Sequence, residues 1–170
     1  YYKEENMKST VVPNRNAIFS SFLYAYALSI SKETNEKVDI ALGVHAGDHE
    51  IYPDCRLEFY EELFNAFKIG NWNTKNINFH LPYLNYTKSD ILKSALNTCK
   101  ELNLNFERIF KNTITSYEPD NNGISNGKTA SDIERILAFH ELGIQDPIEY
   151  KTPWRDVLKH ALNYEEKYNS

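Results

Sequence analysis

The chain has 170 residues, with 19 Lys and Arg against 24 Asp and Glu for a net charge of −5, and it is 41% hydrophobic and 14% aromatic. That composition excludes a disordered or low-complexity chain, and the acidic balance excludes a nucleic-acid coat or a membrane-surface binder, which needs a basic face. Two cysteines, Cys55 and Cys99, make no disulfide framework, no apolar run approaches the roughly 20 residues of a spanning helix, and no signal-peptide pattern opens the chain at Tyr1. The expectation is one cytoplasmic domain over residues 1–170, with no membrane or nucleic-acid partner.

Val11 and Val12 run into Pro13 after a polar start. From Asn14 to Ser31, Ile18, Phe22, Ala25 and Leu28 fall at helical spacing, and Phe19, Leu23, Tyr26 and Ile30 make a second apolar face. Such a helix is expected between two layers or at a subunit contact. Lys32 to Lys37 is a solvated turn, and the apolar run Val38 to Val44 predicts a buried strand. A polar loop, His45 to Arg56, follows it. Tyr60, Leu63, Phe64 and Phe67 predict an amphipathic helix ending at Gly70, and Ile77, Phe79 and Leu81 alternate as a second strand stopped by Pro82. Thr87-Lys-Ser-Asp90 is a capping-box variant before Ile91, Leu92, Ala95, Leu96, Cys99 and Leu102. Asn103 to Tyr117 reads as a short extended or irregular piece, and Asp120 to Gly127 as a polar loop. Ile133, Ile136, Leu137 and His140 mark a further helix closing at Gly143. The last helix, Pro153 to Tyr164, has Pro at its first position and the stripe Trp154, Val157, Leu158 and Ala161. Helices alternating with strands predict an α/β fold with a parallel sheet. A doubly wound domain takes about five strands, so the first strands are expected in a part before Tyr1.

The loop from His45 to Arg56 is the most chemically loaded stretch, and it follows a buried strand directly, where open α/β sheets place their ligand crevice. Three readings stand side by side. His45, Asp48, His49 and Cys55 supply metal-ligand types, although a His-x3-His pair outside a helix has no set geometry. Asp54 suits a cap on the next helix. Asp48 and Arg56 suit polar anchors of a small-molecule pocket. Gly123 to Thr129 looks like a phosphate loop, but only three residues separate its glycines where the Walker pattern has four, and Thr129-Ala-Ser-Asp132 reads as a capping box. His80 and His140 read as packed histidines and Cys99 as core. Asn85-Tyr-Thr87 matches a glycosylation sequon by chance, with Thr87 better used as a cap.

Val11-Val-Pro-Asn-Arg-Asn16, Gly43-Val-His-Ala-Gly-Asp48 and Tyr52-Pro-Asp-Cys-Arg-Leu-Glu-Phe59 resemble segments of the 7-cyano-7-deazaguanine synthases, the QueC or ExsB family. That family writes them as Val-Pro-x-Arg-Asn and Tyr-Pro-Asp-Cys-Arg-Pro-Glu-Phe. The resemblance continues through Leu81-Pro82, Lys88, Arg135, Ala138-Phe139 and Gly143-Ile-Gln-Asp-Pro147, in collinear order. It implies a Rossmann-like adenine-nucleotide alpha-hydrolase (PP-loop ATP pyrophosphatase) fold with a parallel sheet and a C-terminal helical part. It also implies a ligase forming C–N bonds, which uses ATP and Mg²⁺ to turn 7-carboxy-7-deazaguanine and ammonia into preQ0 through an acyl adenylate, on the way to queuosine. Arg15 and Asn16 would then lie at the pocket wall, Asp48, Tyr52, Asp54, Cys55, Arg56 and Glu58 at the substrate end, and Gly43 among the residues that bind substrate or ATP. Lys88 would reach a carboxylate or phosphate, and no residue is singled out as catalytic. The family also tends to homodimers.

Three departures follow from the same resemblance. The ATP motif Ser-Gly-Gly-x-Asp-Ser is expected upstream of Tyr1. The family's structural zinc ligands, aligned on Tyr117 and Arg135, fall on Ser116, Asn126, Thr129 and Asp132, none of them a thiolate, so no zinc is expected. Leu57 stands where the family has Pro. An adenylating ligase acting on another carboxylate or a protein is the alternative, or a non-enzymatic binding protein if no ATP motif precedes the chain.

Overall fold

A computed structural model describes residues 11–49 and 52–169, the side chains of 48, 49, 168 and 169 excepted. The described residues fall into two compact units, one up to Thr87 and one from Lys88 onward. The α/β class, the parallel sheet and the helical C-terminal part are as expected.

The first unit runs α1 (Arg15–Thr34), β1 (Val38–Ala41), the one-turn α2 (Ala46–His49), a 3-10 turn (Pro53–Cys55), α3 (Leu57–Gly70), a second 3-10 turn (Thr74–Asn76) and β2 (Ile77–His80). Left-handed asparagines flank α1, Asn14 at φ 60° and Asn35 at φ 59°, a conformation Asn tolerates better than most residues. The Asn35 N–H closes the helix on the Ser31 carbonyl. β1 and β2 pair in parallel from Val38 opposite Ile77 to Ala41 opposite His80. One more bond, Leu42 N–H to the His80 carbonyl at 3.1 Å, ends the ladder. β1 therefore stops short of the predicted Val44, because its partner runs out before Pro82, which has no N–H to offer.

Tyr24, Ala27, Ile40 and Ile77 form the core of this unit, with Leu28, Val38, Phe64, Phe67 and Phe79 packed on it. The buried side of α1 corrects the sequence expectation: it is Ser20, Tyr24, Ala27 and Ser31, while Ile18, Phe19, Phe22, Leu23 and Tyr26 are exposed. Small Ser and Ala let the helix backbone approach the sheet, and Tyr24 meets Phe64 edge-on with ring centroids 5.9 Å apart. His80 is exposed rather than packed, since the strand's alternation turns Ile77 inward and His80 outward.

The second unit holds α4 (Lys88–Glu101), α5 (Phe106–Phe110), α6 (Ala130–Glu141) and α7 (Trp154–Asn169). The helix α5 corrects the expectation of an extended or irregular Asn103–Tyr117. The Asn105 side chain accepts the Arg108 N–H at 2.7 Å, and the Phe106 and Phe110 rings lie 4.4 Å apart by centroid. One apolar cluster joins Leu92, Cys99, Phe106, Ala138 and Phe139; the other joins Ile133, Ile136, Tyr150, Val157 and Ala161. Trp154 packs on both. His140 is exposed beside the fully buried Phe139, again not packed as expected. Among the described residues no helix is long and apolar enough to cross a membrane.

Candidate functional site

In the first unit, Asn16 sits in the opening turn of α1, and its Nδ2 donates to the Asp54 carbonyl at 3.2 Å and to Cys55 Sγ at 3.4 Å. Pro53 sets the 3-10 turn, which is closed by Cys55 N–H to the Tyr52 carbonyl at 3.0 Å and Arg56 N–H to the Pro53 carbonyl at 3.3 Å. Tyr52 and Cys55 are buried, Asp54, Arg15 and Asn16 half-buried, and Arg56 and Glu58 exposed. Asp54 does not cap α3, contrary to one sequence reading. It lies inside the 3-10 turn, and the N-cap position of α3 is Arg56, whose side chain makes no capping bond to the helix.

Gly43 is exposed beyond the end of β1, and a β-carbon built on it would meet nothing within 4 Å. The chain then enters α2, where His45 is buried and its Nδ1 accepts the Gly47 N–H at 3.1 Å. Asp48 lies on α2, but its side chain and that of His49 fall outside the described residues. Among the described residues no group of three or more His, Cys, Asp and Glu is placed to hold a metal. The fold thus joins Asn16, Asp54 and Cys55 directly, with Tyr52 in the same turn. Sequence reasoning missed a depression of about 370 Å³ between α3 and β2, lined by Leu57, Tyr60, Phe64, Phe79, Leu81 and Leu84 among others.

In the second unit, Lys88 opens α4 and pairs with Glu134 of α6. Nothing in the sequence pointed to Glu134, which lies 46 residues away. Beside that pair, Glu141 accepts from Ser89 Oγ at 2.5 Å and from Lys93 Nζ at 3.1 Å. These bonds, that of Ser89 first, hold the Glu141 carboxyl below the usual range. Deeper in, Asp146 receives Arg135 Nε at 2.5 Å and Nη2 at 2.9 Å, the Tyr150 hydroxyl at 2.8 Å and the Ile148 N–H at 3.1 Å. Burial first, and Asp146 next, push the Tyr150 hydroxyl well above its ordinary range. Arg135 and Asp146, both within the family-like segments, are committed to each other inside the core.

The residues from Gly123 to Thr129 do not form a phosphate cradle. The N–H groups of Gly127, Lys128 and Thr129 go to Ser125 Oγ at 2.9 Å, Asn126 Oδ1 at 2.8 Å and Asp132 Oδ2 at 3.2 Å. Thr129 and Asp132 form the expected capping box on α6. Of the four positions aligned with zinc ligands, three converge: Ser116 Oγ donates to Asp132 Oδ2 at 3.1 Å and Thr129 Oγ1 to the same atom at 2.7 Å. The donor set is all oxygen where structural zinc takes sulfur and nitrogen, and its hydroxyls are spent on one carboxylate. These residues do not fit zinc.

The family model of the queuosine biosynthesis protein QueC matches residues 1–143. The 7-cyano-7-deazaguanine synthase of Marinomonas sp. (strain MWYL1) is 41% identical over 151 residues, which are 89% of this chain and 61% of that protein. Similar proteins of the same name occur in Methanoregula boonei, 38% identical over 89% of this chain and 62% of the relative, and in Caldicellulosiruptor saccharolyticus, 36% identical over 89% and 60%. The chain spans about three fifths of the length of these curated relatives. With the described α/β unit, the joined Asn16–Asp54–Cys55 cluster and a match across most of its length, the chain belongs to the QueC family, whose fold is PP-loop and Rossmann-like.

Proposed function

We propose that this chain serves the ATP-dependent conversion of 7-carboxy-7-deazaguanine and ammonia to 7-cyano-7-deazaguanine, preQ0, in queuosine biosynthesis. The observation that carries the reading is the bonding of Asn16 to Asp54 and Cys55 in the family-like segment Tyr52–Arg56. The name shared by relatives at 36–41% identity supports it. A carboxylate resists attack by ammonia because its charge and resonance make it a poor electrophile. Its attack on the α-phosphorus of ATP releases pyrophosphate and leaves an acyl adenylate. Ammonia then adds to the acyl carbon, AMP departs, and a proton goes to solvent. A second ATP adenylates the amide oxygen, and loss of AMP with the remaining nitrogen protons forms the nitrile.

The chain's own share is binding and orientation. Asp48, Asp54 and Glu58 are proposed to accept the N–H groups of the guanine edge, and Arg56 to pair with the carboxylate. Tyr52 and the buried Cys55 wall the pocket, with Asn16 and Arg15 bracing that wall, and the open space over Gly43 admits a ligand against the backbone. Lys88 is proposed to hold an anionic group by giving up Glu134. Mg²⁺ would neutralise the phosphates of ATP. The 170 residues contain no Ser-Gly-Gly-x-Asp-Ser segment, so the roles proposed here are on the deazaguanine side. The protein carrying this chain, given ATP, Mg²⁺, ammonia and 7-carboxy-7-deazaguanine, is expected to release AMP and nitrile, read by mass spectrometry. Neither product under any condition would overturn the reading. AMP released only with a different carboxylate would favour the alternative acceptor, to which Leu57 in place of Pro points.

The same proposal places the protein in the cytoplasm, where ATP is available, as a homodimer formed through the exposed face of α1. Phe22 there is 74% exposed and Tyr26 68%. Symmetric dimers are the commonest closed assemblies.

A further inference from the structure

We propose that the Asp132 carboxylate closes residues 116–132 by hydrogen bonds, in place of the metal that the family's zinc-ligand positions would hold. Asp132 is fully buried. Its Oδ2 takes three donors, Ser116 Oγ at 3.1 Å, Thr129 Oγ1 at 2.7 Å and Thr129 N–H at 3.2 Å. The bond from Ser116 spans sixteen residues, so it ties the far side of the loop to the start of α6 as a shared ion would. A second rung runs beside it, Ser131 Oγ to the Thr115 carbonyl at 2.8 Å. Asp132 Oδ1 is buried without a partner. Asn126 does not join the carboxylate but stiffens the turn before it, accepting the Lys128 N–H at 2.8 Å. A zinc ion would have to strip Ser116 and Thr129 from Asp132 and accept hydroxyls and an amide in return, a poor exchange for a borderline-soft cation.

The inference concerns the loop alone and stands whichever carboxylate the protein activates. Protein grown with added zinc is expected to retain well under one zinc per chain, and a strong chelator to leave its melting temperature unchanged. Limited proteolysis is the second readout. Asp132→Ala is expected to raise cleavage within residues 113–129 about tenfold, and Ser116→Ala, a milder change that keeps the capping box, to raise it severalfold. One zinc per chain whose removal lowers the melting temperature would overturn the proposal. So would wild-type cleavage in Ser116→Ala, which remains informative if Asp132→Ala fails to fold.

Discussion

Arg135 and Asp146 are buried, and each is the other's charge partner. Taking one away leaves an uncompensated charge in the interior, so Arg135→Met is expected to destabilise the protein by about 3–5 kcal/mol. Tyr150→Phe removes one of several bonds to Asp146 and is expected to cost about 1 kcal/mol. Urea unfolding followed by fluorescence checks both, and equal effects would deny the charge pair its special weight. Gly127 makes a different demand. Its φ is +72°, and a β-carbon would lie 2.7 Å from Val157 Cγ1. Gly127→Ala is expected to cost about 2 kcal/mol, and a second change, Val157→Ala, to recover none of the backbone strain.

At the scale of elements, α1 carries the question of assembly. If its exposed face joins two copies, Phe22→Asp is expected to give a monomer by light scattering at micromolar concentration while the wild type gives twice that mass. A wild-type monomer would rule the dimer out. The helix α5 offers a cleaner test of local chemistry. Asn105→Ala removes the acceptor of the Arg108 N–H and is expected to cost about 1 kcal/mol, with faster hydrogen exchange at Arg108. That helix escaped sequence reading because five residues are too few to show a period, although Asn105 before an acidic first turn was a legible cap. The buried face of α1 escaped for another reason. Ranking residues by hydrophobicity points to Ile18, Phe19 and Phe22, whereas the sheet selects the face whose small side chains allow close approach, Ser20, Ala27 and Ser31.

Across the whole molecule, the response to acid follows from two surface carboxylates of the second unit, Asp120, which is half-buried, and Glu141, which is exposed. Asp120 accepts the N–H groups of Asn122 at 2.9 Å and Ile124 at 3.0 Å, and these bonds, with Ile124 first, hold its carboxyl below the usual range. Glu141 is lowered likewise by Ser89 and Lys93. A carboxyl lowered in the folded state contributes stability that is fully present above its unfolded value and fades as pH falls through the folded one. Stability is therefore expected to drop below about pH 4, and Asp120→Asn with Glu141→Gln to flatten that drop. Both groups face solvent, so the effect is small and screened by salt. A melting curve measured from pH 7 to pH 3 in both proteins checks the sign.

Some of this protein was legible from its sequence alone, because the chemistry involved acts within a turn or two of chain. Thr129 and Asp132 form a capping box wherever they stand three apart at a helix start, and Pro82 ends a strand by lacking a proton. The Tyr52-Pro-Asp-Cys-Arg56 segment likewise carried the family in its own residue order. The tertiary structure alone decided what meets across distance. Asn16 reaches Cys55 over 39 residues and Lys88 reaches Glu134 over 46. Such contacts depend on how helices settle against a sheet or against each other, and no local spacing encodes that. The same holds at Asp132, whose cap was readable three residues away, whereas its bond to Ser116 exists only because the loop between them folds back.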